Sequence, residues 1–348
     1  MIEYAGAIHI HSIYSDGSGE VTDIAGFAAE SDLDFIILTD HNTLRALHEG
    51  FEGWYGKTLL LVGCEINDKE NKNHYLAFGV DETFSTRLPA KEYVKKVKES
   101  GGIGFLAHPN EKRNSMKEHP PYPWTEWDTE DFTGIEIWNH MSEWMEGLTE
   151  QNKYNYFMHP LRSIIEPPKE TLQIWDHFNL KRKVVGIGGI DAHAHKVNLF
   201  GFFELEVFPY KVLFKSIRTH ILSKEKWEPS VNNALEVAKK NVYEALKEGK
   251  CFFSNFYHGN AKGFRFFAED NGLIYEMGDS APFNEKIKLK VSTPSGDAEV
   301  RLIHNSNAVD SKHGADVEFP ISGKGIYRVE VFKNKNAWIF SNHIRIGL

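Results

Sequence analysis

Two imidazoles one residue apart close the first apolar run of the chain, in AIHIHSIYSDGSG (residues 7–19), and Asp16 follows shortly after. An extended backbone turns residues i and i+2 to the same face, so His9 and His11 aim in one direction. That pair is half of a metal site; an edge strand with two solvated histidines is the other reading of an isolated His-x-His. The same placement recurs along the chain. Asp40 and His41 end the run in FIILTDH, Glu65 stands near the end of LLLVGCEI, His108 follows IGFLA, and Asp191 and His193 follow VVGIGGI. In five separate runs, then, imidazole and carboxylate groups sit where an apolar stretch stops. Converging imidazole and carboxylate oxygen donors are what divalent Zn, Mn or Fe accepts. A single such ending is also what a hydrogen-bonded core polar group produces, but five together point to a site.

These residues need strands to carry them. Short apolar runs alternate with amphipathic stretches such as EVTDIAGFAAESDLD, PAKEYVKKVKESGG, PKETLQIWDHFN and NNALEVAKKNVYEALKEGK, which predicts βα units around a parallel sheet or barrel. In barrels of that kind the chemistry collects at the carboxyl ends of the strands. After Gly249 the character changes: KGFRFFAEDNG, IKLKVSTPSGDAEVRLIHNSN and YRVEVFKNKNAWIFSNHIRIGL alternate apolar and polar residues between turn signals. This predicts a small all-β sandwich over residues 253–348, behind a metal-site domain over 1–252. Neither an internal repeat nor a low-complexity segment is present.

With 348 residues, 41% hydrophobic and 26% charged, the chain has the profile of a globular protein with an ample core. No apolar run approaches the roughly 20 residues that span a membrane, and MIEYAGA lacks the basic and apolar regions of a signal peptide. The expectation is a cytoplasmic protein without a membrane partner. Cys64 and Cys251 stand far apart and do not suggest a disulfide framework. A formal charge of −9 argues against a dedicated nucleic-acid binder, although bound cations reverse the sign locally within a cleft.

HIHSIYSDGS, LTDHN, GCEI, HYLAFG, AHP and GIDAH, in this order and spacing, resemble the motifs of the polymerase-and-histidinol-phosphatase (PHP) superfamily of metal-dependent phosphoesterases, over roughly residues 7–200. The resemblance implies a distorted (β/α)7 TIM-like barrel followed by the sandwich, with two or three divalent ions (Zn, Mn or Fe). It implies that His9, His11 and Asp191 bind the first ion, that Glu65 bridges it to a second completed by His74 and His108, and that Asp16, His41 and His193 hold a third. The residue chemistry agrees, because a carboxylate has two oxygens and can face two cations. Clustered ions would make a bridging hydroxide available at neutral pH and polarise phosphoryl oxygens, so no Ser or Cys nucleophile is required. Glu65 and Asp191 therefore count as catalytic. Asp40, next to His41, is either a proton-handling or imidazole-orienting carboxylate or a structural cap.

Phosphate favours the planar fork of arginine, so Arg113, Arg162 and, third, Lys196 are the candidate substrate contacts. The aromatic-rich stretch from Glu111 to Lys183 offers Trp124, Trp127, Trp138 and Trp144 for a pocket or for packing. His140, His159 and His195 lie near motifs outside the ligand set. WIFSNHI near the carboxyl end resembles the WIFSNPI pattern of sandwiches that follow such barrels, with His343 in place of the proline. The expected function is hydrolysis of a small phosphomonoester or phosphodiester. An amidohydrolase-like hydrolase of a non-phosphate bond and a non-catalytic metal-binding module are the alternatives.

Overall fold

The computed structural model describes residues 1–113, 120–199 and 203–348. β1 (Ile2–Ile8), β2 (Phe35–Leu38) and β4 (Thr58–Val62) run parallel, with β3 (Gly53–Tyr55) antiparallel at the edge. Alternate residues of these strands enter opposite cores: Ala7, Ile36, Leu38, Leu60 and Val62 one way, Ile8, Phe35, Ile37, Leu59 and Leu61 the other. Burial on both faces explains the continuous apolar runs, as parallel sheets require. The helix Ala90–Glu99 buries Ala90, Tyr93, Val94 and Val97, one stripe at helical spacing, and turns its lysines to solvent.

A second sheet has the order β5 (Cys64–Ile66), β6 (Tyr75–Phe78), β7 (Ile103–Leu106), β8 (Gly134–Asn139), β9 (Val185–Gly189). Here the expected (β/α)7 barrel is corrected. β5, β6 and β7 are antiparallel neighbours, and no closed barrel forms among the described residues. For β5 and β6 the reason is chain length: only residues 67–74 link them, short of the dozen or more that a parallel crossover needs, whereas β6 and β7 pair antiparallel across a link of residues 79–102. The two sheets meet at isolated bridges, His41 with Glu65 and Ile10 with Ala192, rather than along continuous ladders. Both bridges lie at strand ends that carry the candidate ligands.

β10 (His195–Leu199) and β11 (Phe203–Val207) form a separate hairpin. β12 (Ile217–Ser223) runs antiparallel to β1, and β13 (Cys251–Asn255) pairs with β12 on one side and with the strand Asn336–Ser341 on the other. One sheet thus crosses residue 252, the expected end of the first domain. Beyond it, Phe264, Leu289, Val329 and Trp338 belong to a separate core cluster of antiparallel strands. Among the described residues no helix is long and apolar enough to cross a membrane.

Candidate metal centre

All nine expected ligands converge where the two sheets meet. Glu65, 1% exposed, is the hub. Its Oε1 lies 2.7 Å from His74 Nδ1 and 3.2 Å from His108 Nε2, while Oε2 lies 3.1 Å from His9 Nε2, 3.3 Å from His11 Nε2 and 3.4 Å from His41 Nδ1. Asp191 Oδ1 is 3.3 Å from both His9 Nε2 and His11 Nε2. Asp16 reaches His193 Nε2 at 3.3 Å and His41 Nε2 at 3.6 Å.

Donor atoms within 4.8 Å of one another form four groups: His9 with His11 and Asp191; His11 with Asp16, His41 and His193; His9 with Glu65 and His108; His41 with Glu65 and His74. The first two match the expected first and third sets, the latter with His11 added. The expected second set is divided, since His74 and His108 join Glu65 in separate groups.

The fit to cations is tested by the buried atoms without partners. Both ring nitrogens of His11, Nδ1 of His41, Nε2 of His74 and Nδ1 of His108 make no hydrogen bond. Five orphaned nitrogens in one site are costly unless a ligand uses them. Without ions the charges hold one another. Burial would push the imidazoles of His11 and His108 down, but Asp191 and Glu65 beside His11, and Glu65 and Glu111 beside His108, carry them up to about 10 and about 9. His41 goes the other way, held down to about 4 by burial. Burial likewise works against ionised Glu65 and Asp191, and the surrounding histidines overcome it, keeping both carboxyls well below the usual range.

The backbone is bent to this purpose. His9, His108 and Asp191 have φ of 69°, 28° and 52°, a region that residues with a Cβ seldom enter. Gly17 is obligatory in the first loop, because a Cβ there would stand 2.3 Å from the His11 carbonyl oxygen. Asp40 accepts from Ser12 N and Ser12 Oγ at 2.7 Å and from Ser15 Oγ at 2.8 Å, so it braces the loop between His11 and Asp16. That is the capping reading of Asp40.

Two supporting residues were not singled out in the sequence. Glu136, on β8, accepts from His9 Nδ1 at 2.9 Å through Oε1 and from the His108 backbone N–H at 2.9 Å through Oε2. Tyr210 places its hydroxyl 2.7 Å from His11 O and 3.1 Å from His193 O. The signal for Glu136 was a lone carboxylate inside the apolar run GIEIWN, where burial requires a partner.

A cavity of about 350 Å3 opens onto the cluster, its lining including Asp16, His41, Glu65, His74, His108, Asp191 and His193. Arg113 lies in its wall, its Nε and Nη2 bonded to Glu111 at 2.8 and 2.6 Å, with its guanidinium 4.9 Å over the ring of Tyr122. Arg162 does not join it; it is exposed and donates to Tyr257 at 3.3 Å. Lys196 is paired in register with Glu206 on the hairpin and lies outside the described lining. Of the tryptophans only Trp144 faces the cavity; Trp124 and Trp138 are buried in packing and Trp127 lies against Phe178. His195 lines the cavity stacked on His193, His140 is buried beside Phe208, and His159 is exposed.

No family model matches the chain. An uncharacterized protein of Methanocaldococcus jannaschii is 28% identical over 115 residues, a match covering 29% of this chain and 66% of that protein, just under two thirds. Among solved structures, a two-domain protein from Bacteroides vulgatus containing a predicted PHP-like metal-dependent phosphoesterase is similar over 98% of this chain and 95% of its own, at 15% identity and a TM-score of 0.46. A protein from Bifidobacterium adolescentis assigned as a metal-dependent phosphoesterase is similar over 58% of this chain and 92% of its own, at 16% identity and a TM-score of 0.36.

Proposed function

We propose that the chain is a metal-dependent phosphoesterase of the PHP type, hydrolysing a small phosphomonoester or phosphodiester with two or three divalent ions, Zn, Mn or Fe. The observation that carries this reading is Glu65: one carboxylate with His74 and His108 on one oxygen and His9, His11 and His41 on the other. A structural site closed by four ligands has no use for a shared carboxylate of this kind.

His9, His11, Asp16, His41, Glu65, His74, His108, Asp191 and His193 would hold the ions, whose chemistry is to supply a nucleophilic water at neutral pH and Lewis acidity toward phosphoryl oxygens. Glu136 fixes which nitrogen His9 presents, since the Nδ1 proton is committed to its carboxylate. Arg113, held in the wall by Glu111, orients the phosphate. In the net reaction the bond between phosphorus and the ester oxygen breaks, the oxygen of water joins phosphorus, and the departing oxygen takes up a proton. Residues 1–252 would carry this chemistry and 253–348 would serve as an accessory β-sandwich. The reading places the protein in the cytoplasm, with a small phosphorylated substrate and neither a dedicated nucleic-acid partner nor a membrane. Metal analysis of the gently purified chain, joined to turnover of a panel of phosphoesters and amides, tests it. Two or three divalent ions and phosphoester turnover are expected; turnover of amides alone, or no ion and no activity restored by Mn, Fe or Zn, overturns it.

A further inference from the structure

The cavity lining is of two unlike kinds. Besides the ligands, Arg113, Tyr122 and His195, it holds Met141, Trp144 and Met145, at helical spacing on the helix His140–Gly147, with Phe157, Val207 and Phe208, which together make an apolar wall. The wall is built rather than incidental. Trp144 meets Phe157 and Phe208 edge-on, with centroids 5.0 and 4.8 Å apart, a favoured aromatic geometry. Its one polar atom is spent elsewhere, the indole N–H donating to the Tyr156 carbonyl at 3.2 Å. The six side chains therefore offer a guest no strong hydrogen-bond donor or acceptor.

A sugar or nucleobase lying against these six side chains would bury hydroxyls or ring nitrogens without partners among them, which disfavours binding. An apolar group loses nothing and gains the burial of its surface. Two methionines beside the aromatic rings adapt to guests of varied outline. At about 350 Å3 the cavity suits a small molecule, at the lower end of the roughly 300–1,000 Å3 of ligand pockets.

We infer that the substrate's organic group is apolar, an aryl or short alkyl group lying against Met141, Trp144, Met145, Phe157 and Phe208, while the phosphate faces the metal ligands and Arg113. The inference rests on the phosphoesterase reading and narrows it. Non-hydrolysable phosphonates separate the two. On the metal-loaded full chain, titration calorimetry should show phenylphosphonate binding at least tenfold tighter than methylphosphonate. Phe157→Ser, at a position 39% exposed, and Met141→Gln should each weaken phenylphosphonate several-fold and leave methylphosphonate nearly unchanged. In turnover, butyl phosphate should exceed glycerol phosphate in kcat/KM by about tenfold, the two being alkyl esters of similar size.

Equal affinity for the two phosphonates, binding of neither, or variants that weaken both alike overturns the inference. Preferred turnover of glycerol phosphate overturns it and leaves the phosphoesterase reading standing. A preserved preference for phenylphosphonate without turnover of any phosphoester upholds the apolar subsite and removes the phosphoesterase reading.

Discussion

Glu136 holds His9 by the ring nitrogen that faces away from the cluster. One carboxylate oxygen accepts from His9 Nδ1 at 2.9 Å, and the other accepts from the backbone N–H of His108 at 2.9 Å and from Asn139 Nδ2 at 2.9 Å. Two candidate ligands from different sheets are thus set by one buried side chain.

Glu136→Gln should lower metal affinity about 10–100-fold, the usual loss when an outer partner of a ligand is removed. Gly189→Ala should act through the same contact, because a Cβ there would stand 1.9 Å from Glu136 Oε1. Competitive titration with a metallochromic chelator measures both.

Glu65→Gln should remove phosphoester turnover and reduce the ions bound per chain, while circular dichroism stays that of the parent. The side chain lies among imidazoles rather than in the packed layers, so its loss opens no cavity.

Arg113→Ala should lower kcat/KM for phosphoesters by an amount equivalent to about 2 kcal/mol or more, and Arg113→Lys should recover only part of that, because the ammonium lacks the two-pronged geometry. Arg162→Ala should match the parent, since Arg162 is exposed and bonds to Tyr257. Steady-state kinetics with unchanged metal content separates the two arginines.

Metal binding should release protons and tighten as pH rises from 6 to 8. His11 and His108, at about 10 and about 9, are protonated in the ion-free chain and must become neutral to bind. Calorimetry in buffers of different ionisation enthalpy counts the protons directly.

Asp176 should matter to stability far from the cluster. Burial works to raise its pKa, but the Arg328 charge and the His343 hydrogen bond at 2.6 Å hold it at about 2. A folded pKa below the unfolded value, roughly 3.9, gives stability that is present above about pH 4 and is lost as pH falls toward 2. Asp176→Ala leaves buried Arg328 with Glu330 as its carboxylate partner and takes the partner of His343 away, and should cost up to about 3 kcal/mol. Urea unfolding at pH 7 checks the magnitude, and the loss should shrink when the same pair is compared near pH 2.

Seven of the nine ligands were legible because they break an apolar run at its end, a pattern that survives without knowledge of how strands pair, whereas Asp16 and His74 came only from the motif resemblance. The pairing itself was not. An eight-residue link after Ile66 fixes an antiparallel turn, yet the helix-and-strand rhythm elsewhere suggests parallel units throughout. Residues that hold other residues were hidden for a related reason. Tyr210 lies 199 positions from the His11 carbonyl it reaches, and nothing local marks that contact. His343 stands where the resembling pattern has a proline, which gives no hint of a partner; in the fold it is buried against Asp176.

Asn342 closes on Gly186 with both ends of its amide: Oδ1 accepts from Gly186 N and Nδ2 donates to Gly186 O, each at 2.8 Å, across 156 positions of chain. Gly186 belongs to β9, the strand that delivers Asp191. During synthesis at roughly 5–20 residues per second, β9 therefore waits about 8–30 s after its own emergence for this partner. A ribosome that stalls before residue 342 leaves the strand without this clasp, although every candidate ligand, His9 to His193, has by then been made.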